Sequence, residues 1–204
     1  ELLHKTIYSL ADFQIKGAQE LDFSICYPLS EFNLRSVMWD LNYFKYSFLK
    51  TTGMDFREDL LENDFEKLAS TLLEDKSDTF MYRDFQSRNV MLVDSSPYFI
   101  DFQGGRKGPI HYDVASFLWQ AKANFSSDLR EELIKTYITS LGKYKQVDES
   151  EFKYRLRQFV LFRTLQVLGA YGFRGYFEKK PHFIQSVPFA LNNLRELLRE
   201  GFSE

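Results

Sequence analysis

Thr79-Phe80-Met81-Tyr82-Arg83-Asp84-Phe85-Gln86-Ser87-Arg88-Asn89 opens the stretch that decides the fold of this 204-residue chain. Val90-Met91-Leu92-Val93, the turn Asp94-Ser95-Ser96-Pro97 and Tyr98-Phe99-Ile100-Asp101-Phe102-Gln103-Gly104 complete it. Residues 79–82 and 90–93 read as short strands, and 98–100 pairs back on 90–93 as a hairpin. Asp84 leaves the first strand, and Asn89 follows five residues later at the entry to the second. Asp101 lies twelve residues beyond Asn89, where the hairpin returns to the same edge. A carboxylate and two further oxygen donors are thereby brought onto adjacent loops.

On both sides of this stretch the apolar spacing becomes helical. Leu3, Ile7, Leu10, Ala11 and Ile15 predict a helix over 2–18, broken by Gly17 and by residues 22–28. A long aromatic-rich helix is expected over 31–52, stopped at Gly53, and another over 56–75 with Leu60, Leu61, Phe65, Leu68, Leu72 and Leu73 inward. Beyond Asp113 the pattern gives helices at 113–124, 127–142 (capped by Ser126 or Ser127), 149–171 and 183–200. Gly169, Gly172, Gly175 and Pro181 mark the break in that half. The predicted fold is mainly α with a small β hairpin insert, one unit over 1–204 with its catalytic loop and hairpin at 79–101.

The composition bounds the partners. An aromatic content of 17% and a hydrophobic content of 44% argue for a packed globule rather than a disordered chain. The net charge is −3, which gives no basic field for nucleic acid, and no stretch has the length of a membrane span. Residues 1–142 carry 15 Lys+Arg against 22 Asp+Glu, whereas residues 143–204 carry 11 against 7. The single cysteine, Cys26, cannot form an internal disulfide, which suits a cytoplasmic location, and it reads as a small buried hydrophobe.

Phosphoryl transfer asks a protein for a group that takes the hydroxyl proton, for oxygen ligands to Mg2+, and for accurate positioning. Asp84 is the candidate base. Asn89 and Asp101 are the candidate Mg2+ ligands, a neutral and an anionic oxygen suited to a hard cation that keeps several waters. Turn chemistry explains each of the three singly, but a scaffold has no physical need of all three at this spacing. Asp113 reads as the N-cap of the helix that it opens. His4, His111 and His182 lack the spacing of a zinc site or a nucleophilic triad.

Arg83-Asp84 with Asn89, Asp101-Phe102-Gln103, and Gly108-Pro109 followed by Tyr112-Asp113-Val114-Ala115-Ser116 resemble the aminoglycoside phosphotransferase-like kinases. Within that group they are most similar to the bacterial amino-sugar kinases of cell-wall recycling. The resemblance implies a protein-kinase-like C-terminal lobe that uses ATP or GTP with Mg2+. It implies Asp84 as base with Arg83 beside it, Asn89 and Asp101 on the metal, and Asp113 bracing the catalytic loop. Met91 would floor the adenine pocket, with Gln103 on the same cofactor side. Tyr82 departs from the histidine that many relatives have there. No Gly-x-Gly-x-x-Gly loop and no Val-Ala-Ile-Lys-like strand occurs in the chain. The expectation is that the N-terminal lobe is absent, that the remainder of the same polypeptide supplies it, and that residues 1–204 alone turn over little ATP.

Only eleven residues, 102–112, separate Asp101 from Asp113. That leaves no room for the peptide platform of a protein kinase, so a small-molecule hydroxyl is the expected acceptor. A polycationic aminoglycoside would need an acidic pocket. Asp55, Glu58, Asp59, Glu62 and Asp64 read instead as a solvated helix start. Arg155, Arg157, Arg163, Arg174, Lys179 and Lys180 suit a carboxylated or phosphorylated sugar, or else solvated surface. Trp39 and Trp119 are expected in the core. The alternatives are a pseudokinase-like binding module and an aminoglycoside or choline kinase.

Overall fold

Leu10, Ala11 and Ile7 are completely buried along one face of the first helix, and a single amide, Gln14, is buried among them. In chain order the helices are α1 (Leu2–Lys16), α2 (Leu34–Ser47), α3 (Glu58–Leu73), α4 (Ile110–Leu118), α5 (Ser127–Leu141), α6 (Glu149–Gly172), α7 (Pro181–Ile184) and α8 (Val187–Arg199). The strands are β1 (Thr79–Met81), β2 (Val90–Val93), β3 (Ser96–Phe99) and β4 (Arg106–Gly108). The computed structural model describes residues 1–75, 78–199 and 201–202. Among the described residues no helix is long and apolar enough to cross a membrane.

The chain divides into two compact units. The first comprises Glu1–Phe32, Asp75–Leu118 and Phe125–Leu156. Helix α1 packs on α5, β1 and β3, and α4 packs on β1. The predicted hairpin is present: β2 pairs antiparallel with β3, Val90 opposite Phe99 and Val93 opposite Ser96. Its turn is shorter than expected, because Asp94 (φ +48°) and Ser95 (φ +59°) both adopt left-handed backbone, the two-residue geometry that matches strand twist. Pro97 sits in β3 opposite Leu92, tolerated because a two-stranded ribbon has free edges.

A second two-stranded sheet was not foreseen. β1 pairs antiparallel with β4, Met81 opposite Arg106 and Thr79 opposite Gly108. Gly108 permits the pairing, since a Cβ there would lie 2.8 Å from both Cβ and Sδ of Met81. Residues 31 and 32, expected at the start of a helix, lie along β4 instead, with the Phe32 N–H donating to the Lys107 carbonyl at 2.8 Å. Helix α4 begins at Ile110 rather than at Asp113, so Asp113 is in its first turn and is not the N-cap. Its side chain is committed elsewhere, as described below. Helix α5 follows the expected span, with the Ser126 hydroxyl accepting from the Leu129 N–H. Cys26 is half-buried rather than buried.

The second unit comprises Asn33–Glu74, Trp119–Asn124 and Arg157–Glu204. Asn33 and Ser36 cap α2 reciprocally, which sets its start. The helix expected to run to residue 52 ends at Ser47 and gives way to a 3-10 turn, Leu49–Thr52, closed by Gly53 at φ +71°. Helix α6 ends at Gly172 and is followed by a π-helical turn, Phe173–Phe177. The helix expected over 183–200 is two, α7 and α8, and residue 200 lies outside the described residues. Trp39 is 52% exposed and not in the core.

Close approach of α6 to α2 depends on missing side chains. A Cβ at Gly172 would overlap the Ser47 carbonyl oxygen and come within 2.7 Å of its carbon. Both atoms are backbone and cannot rotate away. Gly172→Ala is therefore expected to destabilise this unit by about 3 kcal/mol, the upper range for overpacking. Gly142→Ala, whose nearest contacts are 3.3 and 3.4 Å, should shift stability by no more than about 1 kcal/mol. Urea unfolding of the two variants checks the contrast.

Candidate active site

Asp113 is completely buried, and its carboxylate is a junction. Oδ2 accepts from the Tyr82 N–H at 2.8 Å and from Gln14 Nε2 at 2.9 Å, and Oδ1 accepts from the Arg83 N–H at 2.9 Å. Gln14 also donates to the Ile110 carbonyl at 3.2 Å and accepts from the buried Tyr137 hydroxyl at 2.5 Å. Helices α1, α4 and α5 thus fix the backbone just ahead of Asp84. Arg83 has φ +75°, a left-handed conformation that costs a non-glycine residue on the order of 1–2 kcal/mol. The Asp113 hydrogen bond to its N–H holds it there.

Tyr82 ties this loop to the hairpin. Its ring is fully buried, and its hydroxyl donates to the Ile100 carbonyl, one residue before Asp101. Burial first, then the negative charges of Asp101, Asp113 and Asp84, hold the phenol well above its ordinary range, so it remains a neutral donor. All three carboxylates are near enough to act on this one ring.

Asp84 lies two residues after Tyr82, in the loop before the 3-10 turn Ser87–Asn89. Its Oδ2 accepts from Arg88 Nη2 at 2.6 Å and from Asn89 Nδ2 at 3.2 Å, and its Oδ1 accepts from Gln86 Nε2. Asn89 is 5% exposed. Its N–H donates to the Gln86 carbonyl at 2.9 Å, its carbonyl accepts from the Ile100 N–H at 3.1 Å, and its Nδ2 also reaches the Asp84 carbonyl at 2.8 Å. With the nitrogen end so engaged, Oδ1 is the end of the amide available to a cation.

Asp101 follows directly after the residue paired with Asn89, at φ +69°, a conformation that aspartate tolerates. Gln103 Nε2 donates to its Oδ1 at 2.8 Å. Met91 is 49% exposed on β2, opposite Tyr98. The seven residues singled out from the sequence all belong to the first unit. Sequence reasoning missed Gln14, Tyr137, Gln86 and Arg88. The one legible signal was a polar Gln14 at an apolar position of α1.

Asn89 Oδ1 and the Asp101 carboxylate are oxygen donors of the types that a magnesium ion would take. Among the described residues no group of three or more His, Cys, Asp or Glu is placed to enclose a metal. One carboxylate and one amide oxygen would leave the rest of such an ion's shell to other ligands, as Mg2+ prefers.

Charged groups away from this region pair with one another. The His111 ring, buried against Phe152, meets Asp75 at 2.6 Å. In the second unit Lys45 is buried between Glu58 (3.0 Å) and Glu62 (2.5 Å), and Glu58 also meets Lys50 at 2.7 Å. Those hydrogen bonds hold the Glu58 carboxyl below its ordinary range and raise Lys45 above its own. The predicted solvated acidic face is thus partly an ion-pair network. Arg163, expected at the surface, is 5% exposed, and Arg157 donates to the carbonyls of Leu197 and Gly201 at 2.7 and 2.8 Å.

Residues 39–150 match the sequence profile of the phosphotransferase enzyme family. An N-acetylmuramate/N-acetylglucosamine kinase of Neisseria meningitidis serogroup B is 26% identical over 178 residues, which cover 84% of this chain and 53% of that protein. The crystal structure of choline kinase from Cryptosporidium parvum Iowa II shares the fold, with a TM-score of 0.63 at 11% identity over 98% of this chain and 66% of its own. The chain spans about half the length of the curated relative that it matches.

Proposed function

The chain belongs to the phosphotransferase enzyme family, and on that premise we propose that it forms the catalytic lobe of a small-molecule kinase. The reaction is transfer of the terminal phosphoryl group of ATP to a hydroxyl, with an amino sugar as the acceptor. The observation that carries this reading is the double strap through Tyr82. Its N–H is held by Asp113 and its hydroxyl holds Ile100, so the loop that carries Asp84 and the one that carries Asp101 are tied together by one buried and one part-buried hydrogen bond.

Asp84 accepts the proton as the acceptor oxygen bonds to phosphorus and the bond from phosphorus to the ADP oxygen breaks. Asn89 Oδ1 and the Asp101 carboxylate would hold the divalent cation, with Gln103 orienting Asp101. A cation bound there supplies neutralisation of phosphate charge. Asp113 and Arg83 act through the loop backbone, and Met91 offers an exposed apolar surface for adenine.

Two features support an amino sugar over a polycationic acceptor. Glu58, Asp59 and Glu62 are occupied by Lys45, Lys50 and Arg57 rather than open to a cationic ligand. The relative that matches over most of this chain acts, by its name, on N-acetylmuramate and N-acetylglucosamine.

The test is a panel of N-acetylmuramate, N-acetylglucosamine, choline, homoserine and kanamycin offered with ATP and Mg2+ to the complete polypeptide. The expected result is kcat/KM for an amino sugar about 100-fold or more above choline and kanamycin. Preference for choline or kanamycin would refute the sugar assignment, and transfer to none of the five would refute the acceptor class.

A further inference from the structure

We infer that Arg88 is a phosphate-binding residue stored on Asp84: it leaves the carboxylate for the terminal phosphoryl group of the nucleotide and thereby opens Asp84 to the acceptor hydroxyl. The inference rests on the reading of Asp84 as the base. A carboxylate has about four lone-pair positions, and side chains fill three of them here. Gln86 takes Oδ1, while Arg88 and Asn89 share Oδ2. Oδ1 keeps one free position, whereas Oδ2 is full, so an acceptor hydroxyl that is to lose its proton to Oδ2 needs one of the two donors there to withdraw.

The three donors are not equally free to do so. Asn89 is buried and pinned by its own N–H and carbonyl, and Gln86 is a neutral, part-buried group whose backbone carbonyl holds Asn89. The Arg88 side chain is 58% exposed. Among the described residues Asp84 is the one group to which its guanidinium donates, out of five N–H bonds available to it. An exposed pair at i, i+4 is weakly held and easily exchanged. A phosphoryl group offers the guanidinium more negative charge and a bidentate fit, which a lone carboxylate oxygen does not. Arg88 also immediately precedes Asn89, the proposed cation ligand, in the chain.

The experiment uses the complete polypeptide and compares Arg88→Gln and Arg88→Lys with the unaltered protein. Calorimetric titration with Mg-ATP and with Mg-ADP reads the ground-state contact, and steady-state kinetics read kcat and KM separately. Arg88→Gln should weaken ATP about tenfold to a hundredfold, the range of one charge-assisted hydrogen bond, and ADP less than twofold. It should also lower kcat about 100-fold or more, and Arg88→Lys should recover part of both losses. Equal weakening of ATP and ADP, or a shift in melting temperature with ATP affinity and kcat unchanged, overturns the inference and leaves only a loop-stabilising ion pair. Asp84→Asn measured alongside separates the two readings. If that variant is inactive while Arg88→Gln behaves as the unaltered protein, only the inference about Arg88 falls; if it stays active, the base assignment falls first.

Discussion

Asp113→Ala is expected to lower the unfolding free energy by about 3–5 kcal/mol. The substitution removes a fully buried carboxylate and leaves three donors, the N–H groups of Tyr82 and Arg83 and the Gln14 amide, facing the void. Each orphaned donor costs about 1–3 kcal/mol when water cannot replace its partner. The loss is local before it is global. Without the Asp113 oxygen, nothing in this junction compensates the left-handed backbone of Arg83, and the loop ahead of Asp84 relaxes. Amide hydrogen exchange is the direct measurement: the Tyr82 and Arg83 N–H groups should be strongly protected in the unaltered protein and exchange freely in the variant. A stability change below about 1 kcal/mol with both amides still protected would show that the junction is not needed.

Asp84→Asn is expected to reduce kcat by about 10²–10⁴-fold in the complete polypeptide, with the fold retained. The carboxylate is 34% exposed and its ionic partner Arg88 is at the surface, so loss of that ion pair costs at most about 1 kcal/mol, and the amide oxygen of asparagine can still accept from Gln86 or Asn89. The chemical cost is large because an amide cannot take the proton from the acceptor. Turnover with the best acceptor, beside a thermal melt of each protein, checks both halves of the expectation. Turnover within tenfold of the unaltered protein would remove Asp84 as the base. The two substitutions therefore separate clearly: one acts mainly on stability, the other mainly on rate.

The candidate site was legible where the chemistry requires residue types close together in the chain. Asp84 and Asn89 are five residues apart, and the step from Asn89 to Asp101 can be counted through a hairpin whose turn announces itself. The hairpin register, Val90 opposite Phe99, was not legible, because the turn takes two residues where four were expected. The pairing of β1 with β4 was not legible. It joins segments more than twenty residues apart, and Arg106-Lys107-Gly108 has no apolar alternation to mark it as a strand. Of the two roles expected of Asp113, the cap is absent and the brace implied by the family resemblance is present. A capping aspartate and a brace look alike in sequence, and only the positions of the Tyr82 and Arg83 N–H groups distinguish them. Trp39 shows the reverse failure, since an aromatic at helical spacing was assigned to the core and is half exposed.

Residue order alone determined the kind of chemistry and the mainly helical class, because both are written in short-range spacing: three oxygen-bearing side chains around one hairpin, and apolar residues at helical intervals. Tertiary structure alone decided how those side chains are held. Gln14 and Tyr137, more than 120 residues apart, meet beneath Asp113, and Tyr82 joins the two loops with one N–H and one hydroxyl. The physical reason is that burial makes each polar group find a partner wherever the fold supplies one, and such partners carry no mark of their spacing in the chain.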